Sequence, residues 1–508
     1  MINNFIASRI MANFGFEPTP EQAIVIEKLS DFLLGKDHSL RREGMLGEAF
    51  LLHGFAGTGK TTLVSALVKT LDQLQQHCVL MAPTGKAAKV FALYSNHPAY
   101  TIHRRIYRQK SLTEEASFSL NDNLSKNTLF IVDEASMIGD DSYESVFGSG
   151  RLLEDLIHFV YSGEGCRLLL MGDTAQLPPV GQEESPALSR TVLQEYGLSV
   201  HDASLTQVMR QTEISGILSN ATAIRECITS LFHAKRNTIV TSPLRLRCLP
   251  DVQSITGGDL IEKLSDSYSQ AGIDDTIVVC RSNKKANIYN RGIRATILYR
   301  EEELTSGDRV MIVKNNYFWL KDSRPAAPQS PSERTETSQQ QVPDFLANGD
   351  MGIVRRVRRV RERYGFRFAD IALELPDYDH FEFTATVLLD TLTSESPSLT
   401  KEENERLFNS VMEDYQHISV KEERFKKLRE DPHFNALQIK FAYAVTCHKA
   451  QGGQWDTVFL DQGWLPPESI GTIDYYRWLY TAITRATNKV YLVNWRKEEL
   501  ELPADNDF

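Results

Sequence analysis

Short apolar runs alternate with stretches of helical spacing through the first part of the chain. "FLLHG", "CVLMAPT", "TLFIVDEAS" and "RLLLMGD" each run apolar and then end in a loop carrying Gly, Thr, Asp or Ser. Between them, segments such as "TLVSALVKTLDQL" place apolar residues three and four apart, as an amphipathic helix requires. From Glu21 to about residue 185 this alternation predicts a parallel sheet, with ligands gathered at the carboxyl ends of its strands. A second alternating region starts near residue 200, includes "TIVVCRSN" (276–283), and resumes with "FAYAVTCHKAQ", "DTVFLDQ" and "KVYLVNW". Two α/β units therefore bracket a middle of different character.

Within that middle, residues 322–343 are rich in Pro, Ser and Gln with almost nothing apolar, which predicts a mobile loop or linker. The following "NGDMGIVRRVRRVRERYGFRFADIALEL" has β-type alternation broken at Tyr364-Gly365, the pattern of a hairpin. Residues 400–430 are highly charged with helical spacing and read as surface helix, with contact to a protein partner as the alternative use.

Length adds that 508 residues exceed one ordinary core and suggest about three or four domains. The hydrophobic fraction of 42% and charged fraction of 24% are those of a soluble globular chain. No apolar run approaches the roughly 18 residues needed to span a bilayer, and the first twenty lack the basic-then-apolar order of a signal peptide. Six cysteines without a C-x-x-C pair argue against a zinc or iron–sulfur site and for a reducing compartment, with the cytoplasm as the expected location. A net charge of −11 speaks against nucleic acid, but binding needs only local positive potential. Two basic stretches, 103–110 and 354–363, offer it, although each alone reads first as a solvated face.

The chemistry begins at "HGFAGTGKTT" (53–62), which fits G-x-x-x-x-G-K-[ST] with Gly54, Gly59, Lys60 and Thr61 at the fixed positions. A strand run precedes it and a helical segment follows, the context the motif needs. Loop amides and the helix N-terminus would cradle phosphates, Lys60 would reach the β- and γ-phosphates of ATP, and Thr61 would ligate Mg²⁺. "LFIVDEASM" (129–137) ends in Asp133 and Glu134. A strand that merely turns acidic is the bland reading; downstream of a P-loop the hydrolytic one prevails. Asp133 is then the metal-side ligand and Glu134 the base that deprotonates water. A third strand end (168–181) presents Asp173 and Gln176. An amide cannot act as a base but can bridge water or γ-phosphate; pattern alone leaves this an ordinary loop.

Taken in order, these segments resemble a superfamily 1B DNA helicase of the RecD-like and Dda-like group. "TPEQ" (19–22) resembles the adenine-reading Q motif with Gln22 as reader, "GFAGTGKTT" motif I, "APTGKAAKV" (82–90) motif Ia and "TIHRRIY" motif Ib. "VDEASM" resembles motif II, "GDTAQLPPVG" motif III, and "VMRQ" motif IV with Arg210. "AYAVTCHKAQGGQWD" (442–456) resembles motif V and "LYTAITRA" (479–486) motif VI with Arg485; these two and "NGDMGIV" (348–354) are specific to the group.

The resemblance implies an α/β chain of two RecA-like P-loop domains with parallel sheets, a β-hairpin pin insertion and a small SH3-like β insertion. The expected boundaries are 1–190 for the first domain, with the pin at about 104–127, and 191–348 for the first part of the second. The SH3-like insert with its charged helical segment would occupy 349–435, and the second domain would resume over 436–508. Catalysis would fall to Lys60, Glu134, Gln176, Arg210 and Arg485. ATP would be held by Gln22, Gly54, Gly57, Thr58, Gly59, Lys60, Thr61, Thr62 and Gly453, and Mg²⁺ by Thr61 and Asp133. Pro83, Thr84, Thr101 and His103 in the first domain, and Thr446, His448 and Lys449 in the second, would grip DNA without reading sequence. The implied partners are single-stranded DNA and single-strand/duplex junctions, the implied movement 5′ to 3′, and the implied service repair or recombination. Three other readings remain open here: a single-strand translocase or remodeller with little unwinding, an RNA-directed enzyme, and a nucleotide-gated binding subunit with a vestigial ATPase. The intact catalytic set argues against the last.

Overall fold

The computed structural model describes residues 2–35, 44–109, 118–140, 149–208, 215–233, 244–320 and 345–501. Its first lobe is a six-stranded parallel sheet in the order Ala99–Thr101, Cys78–Ala82, Leu129–Val132, Arg167–Gly172, Gly47–Gly54, Leu198–Leu205. Alternate side chains of the apolar runs go to opposite faces, as the period-2 geometry of a strand dictates. Phe50, Leu52, Ile131 and Met171 pack among the helices Ile2–Phe14, Pro20–Leu34 and Lys60–Gln73, whereas Leu51, Phe130, Val132 and Leu170 pack with Leu153, Leu156 and Ile157 of the helix Leu152–Ser162. Cover on both faces is why these strands are apolar throughout.

The strand Leu198–Leu205 pairs in parallel with the P-loop strand, Gly47↔Leu198 to Gly54↔Leu205. The first lobe therefore runs past the expected boundary at residue 190. As the sheet edge this strand is only partly covered, so its sequence, "LSVHDASL", lacks the apolar run that marks its neighbours.

The second lobe is a five-stranded parallel sheet, Val252–Ile255, Ala486–Val493, Trp455–Asp461, Thr276–Cys280, Ala444–Thr446. Between its strands the chain makes a closed barrel of Arg309–Ile312, Met351–Arg363, Phe366–Leu375, Phe381–Leu388 and Leu437–Phe441. The barrel thus draws a strand from each side of the expected insert 349–435. The hairpin expected at Tyr364-Gly365 is present, with positive φ at both residues (57° and 70°), the combination that matches strand twist in a two-residue turn. The charged segment folds as helices Lys401–Asp414 and Lys421–Glu430, the first opened by a Thr400/Glu403 capping box. Their few apolar residues, Leu407, Val411 and Leu428, pack with Phe366, Phe368 and Leu388, so the barrel occupies their apolar side.

The pin region is a short antiparallel pair, Tyr107–Gln109 with Phe118–Leu120, preceded by the helix Ile102–Ile106, so the expected hairpin starts three residues late. Its tip (110–117), the low-complexity segment 322–343 and Arg210 lie outside the described residues. No helix among the described residues is long and apolar enough to cross a membrane.

Candidate nucleotide site and nucleic-acid interface

Strand ends of the first lobe meet the helix Ile473–Ile483 of the second. The P-loop leaves its strand at Gly54 and enters the helix Lys60–Gln73 through Gly59. Lys60 Nζ donates to the carbonyls of Gly54 and, at 3.0 Å, Phe55, so the ammonium is held by its own loop. Thr58 is buried and its hydroxyl donates to Phe55 O at 2.9 Å. Thr61 is half-buried and Thr62 exposed at the start of the helix. Gln22 lies against the loop: Nε2 donates to Thr58 O at 3.1 Å, while Oε1 accepts from Thr19 N–H at 3.0 Å in a capping box. Gln22 therefore ties the first helix of the motif set to the phosphate loop.

Asp133 and Glu134 follow the strand Leu129–Val132. Asp133 Oδ1 accepts the Glu134 N–H at 2.7 Å, and Glu134 holds a left-handed backbone with φ 51°. That conformation costs a non-glycine residue on the order of 1 kcal/mol or more and is concentrated at functional turns. Burial and the neighbouring Glu134 push the Asp133 carboxyl up to about 7, against the pull of Lys60. Two hard oxygen donors, the Thr61 hydroxyl and the Asp133 carboxylate, suit Mg²⁺, and the adjacent half-buried carboxyls of Asp133 and Glu134 favour a cation beside them.

Asp173 and Gln176 sit on the next turn, both buried. Asp173 Oδ1 accepts from Ala175 N–H at 2.9 Å and Oδ2 from the Tyr480 hydroxyl at 2.6 Å. Burial raises the Asp173 pKa, and Lys60 and Tyr480 oppose the rise. Gln176 Oε1 and Ser136 Oγ are buried without a hydrogen-bond partner among the described residues. Both residues line a cavity of about 490 Å³ beside Gly54, with Arg225 and Arg477 on the wall contributed by the second lobe. Arg485 is 3% exposed and turned onto its own lobe: Nε donates to Thr481 O (3.0 Å), Nη1 to Gly453 O (3.1 Å) and Nη2 to Thr484 Oγ1 (3.2 Å). Gly453 thus serves as a carbonyl support for that guanidinium, and a β-carbon there would lie 2.4 Å from the Trp455 ring.

The expected DNA grips occupy two surfaces. Thr84 and Thr101 cap the helices Gly85–Ser95 and Ile102–Ile106, accepting from Ala87 N–H (3.2 Å) and Arg104 N–H (3.3 Å). A hydroxyl that accepts from backbone still has its proton to give to a phosphate oxygen. Pro83 precedes the first of these caps. Burial pushes the His103 imidazole down to about 4, so it is neutral at pH 7. In the second lobe Thr446 heads the turn Cys447–Ala450 without a side-chain cap bond, burial lowers His448, and burial brings the Lys449 amine down to about 8. The two surfaces meet at Gly452: its backbone is left-handed (φ 71°), and a β-carbon would stand 3.1 Å from Thr84 Oγ1.

Several side chains in these places were not singled out from the sequence. Arg225 stacks over the Phe55 ring at 4.3 Å, Lys86 over Trp455 at 3.7 Å, and Arg281 over Trp478 at 4.5 Å. Tyr480 accepts from Ala56 N–H at 2.9 Å while donating to Asp173. Each is one residue of a common type in a helix or loop, and only the tertiary contact marks it.

Two parallel sheets with a P-loop at their junction define a P-loop ATPase. Residues 45–238 match the AAA domain family, and residues 441–493 match the UvrD-like helicase C-terminal domain. The ATP-dependent RecD2 DNA helicase of Deinococcus radiodurans is 33% identical over 177 residues, which is 34% of this chain and 21% of that protein. An uncharacterised protein of Acanthamoeba polyphaga mimivirus is 22% identical across 92% of this chain and 98% of its own length. The solved Pif1 helicase from Bacteroides, in complex with ADP-AlF3 and ssDNA, covers 96% of this chain and 95% of its own at 16% identity and a TM-score of 0.42. The matched segments thus pair an AAA domain with a UvrD-like helicase C-terminal domain in one chain.

Proposed function

We propose that this chain is an ATP-driven DNA helicase that moves 5′ to 3′ along single-stranded DNA and separates duplex ahead of it. The observation that carries the reading is one cleft: the P-loop and the Asp173–Gln176 turn meet the helix that leads to Arg485, with Asp133 and Glu134 electrostatic neighbours of Lys60 and Asp173. In this reading ATP draws Lys60 from the carbonyls of Gly54 and Phe55 onto its phosphates. Glu134 takes the proton of the attacking water, and Gln176 Oε1 orients that water or senses the γ-phosphate. Mg²⁺, held by Thr61 and Asp133, would supply charge neutralisation on the phosphates. Arg485 exchanges its contacts with Thr481, Gly453 and Thr484 for the γ-phosphate, Arg210 joins it, and Gln22 reads the adenine. The lobes then close with ATP and open after hydrolysis. Alternate grip by Pro83, Thr84, Thr101 and His103, then Thr446, His448 and Lys449, converts that motion to travel, and the pin divides the strands. The DNA assignment is supported by the Deinococcus relative, a DNA helicase.

A translocase with little unwinding is the second reading, which a short pin would favour; among the described residues Tyr107–Gln109 pairs with Phe118–Leu120. ATPase assays with and without single-stranded DNA, and with its RNA counterpart, test the common core of both. Stimulation by DNA over the Lys60→Ala background is expected; equal turnover with and without nucleic acid contradicts it.

A further inference from the structure

The helix Ile473–Ile483 touches the first lobe at consecutive residues, and the two contacts differ in kind. Thr481 Oγ1 accepts from Leu177 N–H at 2.8 Å, and Gln451 Nε2 donates to Leu177 O at 2.8 Å; both are lobe-to-lobe contacts beyond the phosphate loop. Tyr480 instead reaches the loop itself. Its hydroxyl oxygen accepts from Ala56 N–H, in the middle of "GFAGTGK", and its proton goes to Asp173 Oδ2. The Ala56 N–H can only donate, so the phenol oxygen accepts there and its single proton is directed at Asp173 Oδ2. Tyr480 and Asp173 are each 1% exposed, where an exchange with water is not available to soften the loss of either bond.

The same helix is packed against the expected DNA grip. Cys447 Sγ donates to Trp478 O at 3.5 Å, and Cys447 stands between Thr446 and His448. A displacement of the Thr446–Lys449 turn therefore has a contiguous route through Trp478 and Tyr480 to Ala56 of the P-loop and Asp173 of the neighbouring turn.

We propose that Tyr480 is the positioning residue that transmits the DNA-bound state of the second lobe to the phosphate loop, through its paired hydrogen bonds to Ala56 and Asp173. The proposal rests on the DNA-stimulated ATPase proposed above. Tyr480 performs no chemistry on ATP; its hydroxyl sets the attitude of the loop amide and of the acid beside Gln176 when the lobes move. Removing one hydroxyl strands a half-buried amide and a buried carboxylate oxygen, a loss equivalent to about tenfold in the coupled step.

The test is steady-state ATPase of the full chain with and without oligo(dT), for wild type, Tyr480→Phe and Thr481→Val, with melting temperatures for all three. Tyr480→Phe is expected to lose about tenfold in the ratio of stimulated to basal kcat while KM for ATP stays within about twofold. Thr481→Val weakens the seam one residue along without touching the P-loop and is expected to melt lower yet keep its ratio. Retained stimulation in Tyr480→Phe, or equal loss in both variants, overturns the proposal. If Tyr480→Phe does not fold, amide exchange in the wild type decides: oligo(dT) must change protection of the peptide containing Ala56, and no change overturns the coupling. Absence of stimulation in the wild type is a different result, since it removes the ATPase reading itself.

Discussion

The two walls of the cleft hold their charges in opposite ways. On the first lobe Lys60, Asp133, Glu134 and Asp173 crowd the ends of adjacent strands, and burial keeps the Asp133 and Asp173 carboxyls above their usual range. On the second, Arg485 donates from each of its three nitrogens to two carbonyls and a hydroxyl of its own lobe. The first wall is unfinished electrostatically and is completed by a phosphate and a cation. The second is held by hydrogen bonds within its own lobe and must exchange them to take part. Under the proposed function, an enzyme with this arrangement turns over slowly until nucleic acid moves the second lobe.

Substitutions that separate the two walls should rank accordingly. Lys60→Ala removes the charge that the first wall contributes to the phosphates, and ATP turnover should fall by about 10³-fold or more in a phosphate-release assay. Glu134→Gln should bind ATP with near wild-type affinity, measured by fluorescent-nucleotide titration, yet fail to hydrolyse it; normal hydrolysis would show the base to be elsewhere. Arg485→Ala should lower stimulated kcat by about 10²-fold with less effect on the basal rate, because in the resting state this arginine serves its own lobe. Gly452→Ala places a methyl against Thr84 and should cost several-fold in single-strand affinity by fluorescence anisotropy, through both backbone strain and the crowded junction.

The smallest effect concerns pH. His103 has a folded-state value of about 4, below the ordinary 6.5, so the native state disfavours its proton. The stability it contributes is complete above pH 6.5 and is lost as pH falls from 6.5 toward 4. Thermal melts at pH 7 and pH 5 should drop further for wild type than for His103→Gln; identical drops would show that the imidazole is not held neutral.

How far the sequence led depends on how local each feature is. The P-loop and the Asp133–Glu134 turn are fixed by spacing within one strand–turn unit, and both stand at strand ends in the structure. The hairpin at Tyr364-Gly365 was readable for the same reason. The edge strand Leu198–Leu205 was missed because one covered side demands fewer apolar residues. The barrel limits were missed because Val310 pairs with Gly352 on one side and with Phe441 on the other, and nothing in either short strand announces the distant partner. Tyr480 had no signal: its contact with Ala56 spans 424 residues. Arg485 was named through resemblance to motif VI, but its present partners could be read only from the fold.

The most direct test of the account uses two partial duplexes of identical sequence, one with a 5′ single-stranded tail and one with a 3′ tail. Each is incubated with ATP, Mg²⁺ and either the wild-type chain or Lys60→Ala, and strand release is followed on native gels. The account predicts release from the 5′-tailed substrate, none from the 3′-tailed one, and none with Lys60→Ala. Release from neither substrate, in the presence of single-strand-stimulated ATPase, would contradict the helicase and leave a translocase.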